Sequence, residues 1–302
     1  MVTLDNMFYN NKTFVYFNGK FVKAKDALCS PFSQTLHYGY GVFEGLRSYD
    51  TQHGVRIFQP TAHFERMRRT ATLLGLDLAL SNGELEQIAQ QLLEKNQLKN
   101  AYIRPVLLAG DAMSLQANPH TKLLMAAWKW PKLLGETLLN VGISPIARPH
   151  PNSFPYEGKV VGFYVNSIMA STEARRRGYD EALLLDHQGF VAQSPGANLF
   201  MEKGGRLFTP PLGSVMPGIT RKTMLELAAE LGIEAEERQF TPAELQAADA
   251  AMLVGTATEV AGIGMVDGVP LRKPYEKSHC ARLAEAYYDL VHSVMEPSYT
   301  II

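Results

Sequence analysis

Lys159 is the residue whose type and setting most suggest chemistry. It lies in EGKVVGFYV, where apolar neighbours can hold an ammonium out of bulk water. Desolvation lowers a lysine pKa and yields the nucleophilic amine that Schiff-base chemistry requires. Taken alone, a lysine of this kind more often packs its stem against a strand and keeps its head wet. Gly218-Ile219-Thr220 leads directly into a helical pattern, so its N–H groups and the positive end of the helix dipole suit a phosphate. Gly255-Thr256-Ala257 can form a second nest of backbone donors. Singly, each turn is better explained as an ordinary cap or strand end. Only their combination with a lysine is informative.

Other chemistries find little support. The glycines of YGYGVFEG and AGIGMVDG are spaced one residue longer than a dinucleotide fingerprint, and neither opens an obvious crossover helix. No Walker A loop, GxSxG elbow or HExxH occurs, and the eight histidines show no ligand spacing, so no metal is expected. The net charge of -1 carries no basic footprint, which speaks against a nucleic-acid partner. Cys29 and Cys280 form no CxxC and suggest a reducing cytoplasm. The N-terminus lacks a basic segment followed by an apolar one, and the apolar runs are too short to span a bilayer, so no membrane is expected.

The elements that must position these residues are mixed. A chain of 302 residues, 46% hydrophobic, is long enough for two domains. FVYFNGKFV predicts a hairpin turning at Asn18-Gly19. HFERMRRTATLLGL reads as a helix stopping near Gly75, and Ser81 with Glu84 forms a capping box opening ELEQIAQQLLEKN. AYIRPVLLAG and TKLLMAAWKW read as strands. Between Pro131 and Pro151 the periodicity fades, placing an interdomain loop at 135–143 between domains at 1–134 and 144–302. Beyond it follow a helix ended by Gly178, a strand EALLLD, a hairpin from GFVAQS to NLFMEKGGRLFTPP, and the helix RKTMLELAAELG. Thr241, Pro242 and Glu244 give a second capping box, before a strand ending at Gly255.

HYGYGVFEGLRSY, AYIRP, EGKVVGFYVNS, SPGANLF, LFTPPLGSVMPGITR and VGTATEV occur in this order. Together they resemble the class IV (fold type IV) pyridoxal 5'-phosphate (PLP) aminotransferases, most closely the bacterial branched-chain amino acid aminotransferases, over roughly residues 14 to 290. The resemblance implies a smaller N-terminal α/β domain and a barrel-like C-terminal α/β domain. It implies that Lys159 carries PLP as an aldimine and moves the substrate proton. By the same resemblance Tyr164 hydrogen-bonds the cofactor's phenolic oxygen, Arg66 pairs with its phosphate, and Ile219, Thr220 and Thr256 supply further phosphate donors. Tyr38, Phe43, Trp130 and Tyr164 fall where the family builds an apolar pocket. Arg104 matches the arginine that meets the second carboxylate of glutamate, and the Thr256 and Ala257 amides hold the common α-carboxylate.

Two positions depart from the pattern. Gln193 stands where the family places a glutamate beside the pyridine nitrogen, which removes a charge and weakens the electron sink. Leu133 stands where relatives often have a pocket tyrosine, relaxing selection towards bulkier substrates. The expected activity is ping-pong transamination of leucine, isoleucine or valine with 2-oxoglutarate, by a cytoplasmic homodimer or larger homo-oligomer. Alternatives within the class are a D-amino-acid aminotransferase or an aminodeoxychorismate lyase-like reaction. A PLP-binding protein impaired in turnover by Gln193 is a further alternative.

Overall fold

The computed structural model describes residues 8–131, 134 and 137–293. These form two compact units. One comprises the chain through Trp130 together with Gly158–Phe163; the other comprises Pro131–Glu157 and the chain from Tyr164 onward. Leu133 lies outside the described residues.

The first unit is built on an antiparallel sheet in the order Lys20–Lys23, Phe14–Phe17, Thr121–Lys129, Ala101–Ala109, Leu46–Thr51, Gly54–Ile57, with Gly41–Phe43 also paired to Ala101–Ala109. Its opening hairpin turns through Asn18 at φ 45° and Gly19 at φ 92°, the left-handed pair that matches strand twist in a two-residue turn. Pro60–Leu73 and Asn82–Asn96 are its long helices. The first begins at Pro60, earlier than the periodicity of HFERMRR suggests, because proline suits the first helical position. The second opens on the capping box of Ser81 and Glu84. Phe64, Met67, Leu85, Leu92 and Leu93 are fully buried with Ile103, Leu107 and Met125 of the sheet. Each contributes roughly 1.5–3 kcal/mol by leaving water.

In the second unit six strands close into a ring: Val191–Gln193, Glu181–Leu185, Leu139–Ile143, Glu259–Val266, Ala250–Gly255 and Asn198–Lys203, the last pairing back to Val191–Gln193. Closure leaves these strands without a free edge. The expected barrel-like domain is present. Arg206–Thr209 and Ala235–Glu237 extend the sheet beyond the ring. Among the described residues no helix is long and apolar enough to cross a membrane.

The partition differs from the expected one at two places. Leu139–Ile143, inside the expected interdomain loop, is a strand with parallel partners on both sides. Leu139 and Val141 are buried there, a five-residue alternation too short to stand out beside the prolines that follow. Gly158–Phe163 groups with the first unit although it was assigned to the C-terminal domain. The cause is backbone pairing. Phe43 N–H donates to the Lys159 carbonyl at 3.0 Å, Val42 and Val160 form a bridge, and Gly162 N–H donates to the Gly39 carbonyl at 2.9 Å. Gly39 has φ 65°, and a Cβ there would lie 2.7 Å from the Gly162 Cα. Only glycine permits both the turn and the approach.

Candidate active site

Lys159 is positioned by its backbone before its side chain is considered. Its N–H donates to the Thr70 hydroxyl at 3.2 Å, and that hydroxyl donates to the Arg66 carbonyl one helical turn away at 2.9 Å. The Lys159 Nζ lies 4.6 Å from the centre of the Phe43 ring. The Arg104 guanidinium lies over the same ring, also at 4.6 Å. An aromatic face attracts both cations. The structure thus gathers Lys159, Phe43 and Arg104, three of the residues singled out from sequence.

Strand geometry supplies the surroundings of Arg104. Tyr102 and Arg104, two residues apart on Ala101–Ala109, share a face, and Tyr102 stands directly across from Trp128. Arg104 Nη2 donates to the Tyr102 hydroxyl at 3.0 Å. The Tyr102 ring contacts Trp128 at 5.4 Å and Trp130 at 5.8 Å, and Phe8 contacts both tryptophans. A Cβ on Gly45 would meet the Tyr102 hydroxyl at 1.8 Å, so glycine is required beneath it. Arg104 Nε, Trp128 Nε1 and Trp130 Nε1 are buried without a hydrogen-bond partner. Leaving buried donors unmade is costly, and their grouping suits an acceptor-rich ligand such as a carboxylate. Tyr38 has a different neighbourhood: it is 45% exposed and its hydroxyl donates to the Met113 carbonyl.

Arg66 is buried and bound into a charged cluster. Its Nε and Nη2 donate to the two oxygens of Glu44 at 2.6 and 2.9 Å. His63 Nδ1 lies 2.9 Å from Glu44 Oε2, and the Gly45 N–H donates to the same oxygen at 3.1 Å. The carboxylate therefore faces four donors. Burial opposes ionisation of Glu44, but the charge and hydrogen bonds of Arg66 and His63 override it and hold the carboxyl well below the usual range. Burial pushes the His63 pKa down; Glu44 opposes this, while Arg66 and Lys159 add to it. A neutral imidazole carrying its proton on Nδ1 satisfies the geometry. Glu44 and His63 were not singled out from sequence. The signal was there in part: His63 and Arg66, three apart on one helix, share a face.

The second unit holds the remaining residues. Tyr164 opens the helix Tyr164–Arg176. Nearby, Arg148 is held by its Nε bond to the Ser214 carbonyl at 2.9 Å and lies 4.5 Å from the Tyr156 ring centre. Burial lowers the Arg148 pKa, while Tyr156 and Tyr164 both raise it. Neither Arg148 nor Tyr156 was a sequence candidate. Gly218 is the N-cap of Ile219–Glu230, with no side chain capping the helix. A Cβ at Gly218 would meet Asn198 Oδ1 at 2.1 Å, so only glycine fits. The helix presents the N–H groups of Ile219 and Thr220 in its first turn, the arrangement that favours an anion. Thr256 and Ala257 follow Ala250–Gly255 in the turn before Glu259, which has φ 57°. Gln193 is buried; its Oε1 accepts the Met216 N–H at 2.8 Å and its Nε2 donates to the Ser194 carbonyl at 3.1 Å. Among the described residues no cluster of metal-ligating side chains occurs.

Each of these sets suits a part of PLP: in the first unit a lysine against an aromatic face and a buried arginine held in one orientation, and in the second unit an uncapped helix start. Known proteins point the same way. The family Amino-transferase class IV matches residues 41–266. The branched-chain-amino-acid aminotransferase of Pseudomonas aeruginosa is 38% identical over 288 residues, covering 93% of this chain and 94% of that protein. The crystal structure of the branched-chain aminotransferase of Thermoproteus uzoniensis with norvaline aligns at TM-score 0.88 and 36% identity, over 92% of this chain and 94% of that one. A T.th. branched-chain amino acid aminotransferase complexed with N-(5'-phosphopyridoxyl)-L-glutamate aligns at TM-score 0.88 and 34% identity, over 93% of this chain and 94% of that one. With the family model matched over residues 41–266 and relatives similar along nearly its whole length, the chain belongs to the class IV aminotransferase family.

Proposed function

We propose that the protein is a PLP-dependent branched-chain aminotransferase, passing the amino group of leucine, isoleucine or valine to 2-oxoglutarate in a ping-pong exchange. The observation that carries this reading is the grouping of Lys159, Phe43 and Arg104, which sets an amine and a guanidinium against one apolar ring. When bound, PLP supplies the electrophilic carbonyl and electron-withdrawing ring that loosen the substrate Cα–H bond. Lys159 Nζ holds the cofactor and carries the proton to and from the substrate Cα.

Arg66, the N–H groups of Ile219 and Thr220, and Thr256 are the proposed phosphate partners. Glu44 and His63 fix the plane of Arg66 before any phosphate arrives, so little side-chain entropy is lost on binding. Tyr164 is the proposed partner of the phenolic oxygen, with Arg148 favouring negative charge beside it. Phe43, Tyr38 and Trp130 are proposed to receive the apolar side chain, and the Thr256 and Ala257 amides the α-carboxylate. Arg104 receives the second carboxylate of glutamate, for which its unpartnered Nε and the two indole N–H groups provide donors. One relative was solved with norvaline and another with a phosphopyridoxyl-glutamate, which supports both apolar and acidic side chains as substrates.

A homo-oligomer, at least a dimer, completes the proposal, and we place it in the cytoplasm. Leu28, Phe32, Leu36 and Leu115 of the first unit are all more than half exposed and are the proposed contributors to that interface. The test of function is addition of excess L-leucine to the PLP-loaded protein without any 2-oxo acid. Release of one equivalent of 4-methyl-2-oxopentanoate with loss of the visible cofactor band is expected. A band that leucine leaves untouched would remove the branched-chain reading.

A further inference from the structure

The Gln193 amide is held one way round by two backbone groups of opposite polarity. The Met216 N–H must face an acceptor and the Ser194 carbonyl must face a donor, so Oε1 and Nε2 are assigned without ambiguity. Turning the amide over would set N–H against N–H and oxygen against oxygen in a buried place. Met216 cannot easily move to relieve this, because Asn198 Nδ2 donates to its carbonyl at 2.9 Å, and Asn198 pairs with Gln193 across the closing strands of the ring. Of the two Nε2 hydrogens, Ser194 takes one. Beyond its backbone partners Gln193 has one N–H left to place, and a buried N–H without an acceptor is less well tolerated than a carbonyl with one lone pair unused.

Resting on the cofactor reading above, we propose that Gln193 donates its second Nε2–H to the pyridine nitrogen of PLP, and that this protein holds that nitrogen unprotonated. A pyridinium carries its own N–H, which the Gln193 oxygen can accept only as a second bond beside that of Met216, and the spare Nε2–H would then go unmade. A carboxylate at the same position would do the opposite, accepting the ring N–H and favouring the charged form. The structure thus assigns the ring a weaker electron pull, and removal of the Cα proton leans correspondingly on Lys159.

The test is the ¹⁵N resonance of PLP labelled at the ring nitrogen, read in the holoprotein near neutral pH. The wild-type resonance is expected in the unprotonated pyridine range, and Gln193→Glu is expected to move it upfield to the pyridinium range. Gln193→Met keeps the length but removes the donor, and is expected to move the resonance modestly downfield. A wild-type resonance already in the pyridinium range overturns the proposal. So does a resonance that neither substitution moves, which would place Gln193 away from the ring. If labelled PLP gives no bound resonance and no visible band that Lys159→Ala abolishes, the cofactor reading itself falls, and this inference with it.

Discussion

Two buried polar groups solve the same problem in opposite ways. In the first unit Glu44 and Arg66 keep full charges out of water by meeting each other, with His63 as a further partner of the carboxylate. In the second unit Gln193 carries no charge and is fixed by two backbone groups. The charged cluster is hard to break without penalty, because loss of one member strands another. The neutral amide is easier to disturb, yet it sets polarity just as firmly. Charge gives strength of binding; backbone hydrogen bonding alone can decide direction.

The sharpest way to break the comparison is Glu44→Ala, which leaves the Arg66 guanidinium buried without its carboxylate. A loss of about 3–5 kcal/mol in unfolding free energy is expected by denaturant titration. A loss below about 1 kcal/mol, the scale of an exposed ion pair, would mean that the cluster is not what holds Arg66. Next comes Arg104→Met, which tests whether the half-buried guanidinium over the Phe43 ring serves a ligand instead. It should lower kcat/KM for glutamate relative to leucine by the equivalent of about 1.5–3 kcal/mol, with little change in unfolding. Equal losses with both substrates would point to a structural role.

Gln193→Met leaves the Met216 N–H without its acceptor and is expected to cost about 1–3 kcal/mol in the same titration, less than Glu44→Ala. The reverse order would overturn the contrast drawn between the two groups.

The smallest effect concerns pH. Burial lowers the folded-state pKa of His63, so as pH falls below about 6.5 the unfolded chain takes up a proton that the folded one resists. Stability must decline across that window, and it is fully present above it. Glu44 acts lower: its depressed pKa stabilises the fold above the ordinary carboxylate value, and that contribution goes as pH falls through the folded value. His63→Asn keeps a donor for Glu44 without titrating. Between about pH 7.5 and about pH 5.5 its Tm should fall less than that of the wild type. Parallel curves would show that His63 does not titrate as described.

Most of the elements were legible because their signals are local. The hairpin at Asn18-Gly19, both capping boxes and the uncapped glycine before Ile219 depend on residues a few positions apart. The strand Leu139–Ile143 was missed because five residues between parallel neighbours carry too little pattern. Part of the site was legible in the same way. Alternation along Ala101–Ala109 is enough to put Tyr102 and Arg104 on one face, although only Arg104 was singled out. Glu44 was not legible as a partner of Arg66, because a carboxylate beside a strand says nothing of which helix it will meet.

The sequence by itself determined that this chain has a mixed α/β fold, a lysine in an apolar segment, and glycines where anions can approach backbone. Those properties follow from side-chain chemistry and short-range geometry. Only the tertiary structure decided that Lys159 is pinned to the strand of Phe43, that Arg66 is gripped by Glu44 and His63, and that Gln193 presents an N–H. Each of these depends on groups brought together from distant parts of the chain, where direction and distance, absent from any local pattern, determine what a polar group can do.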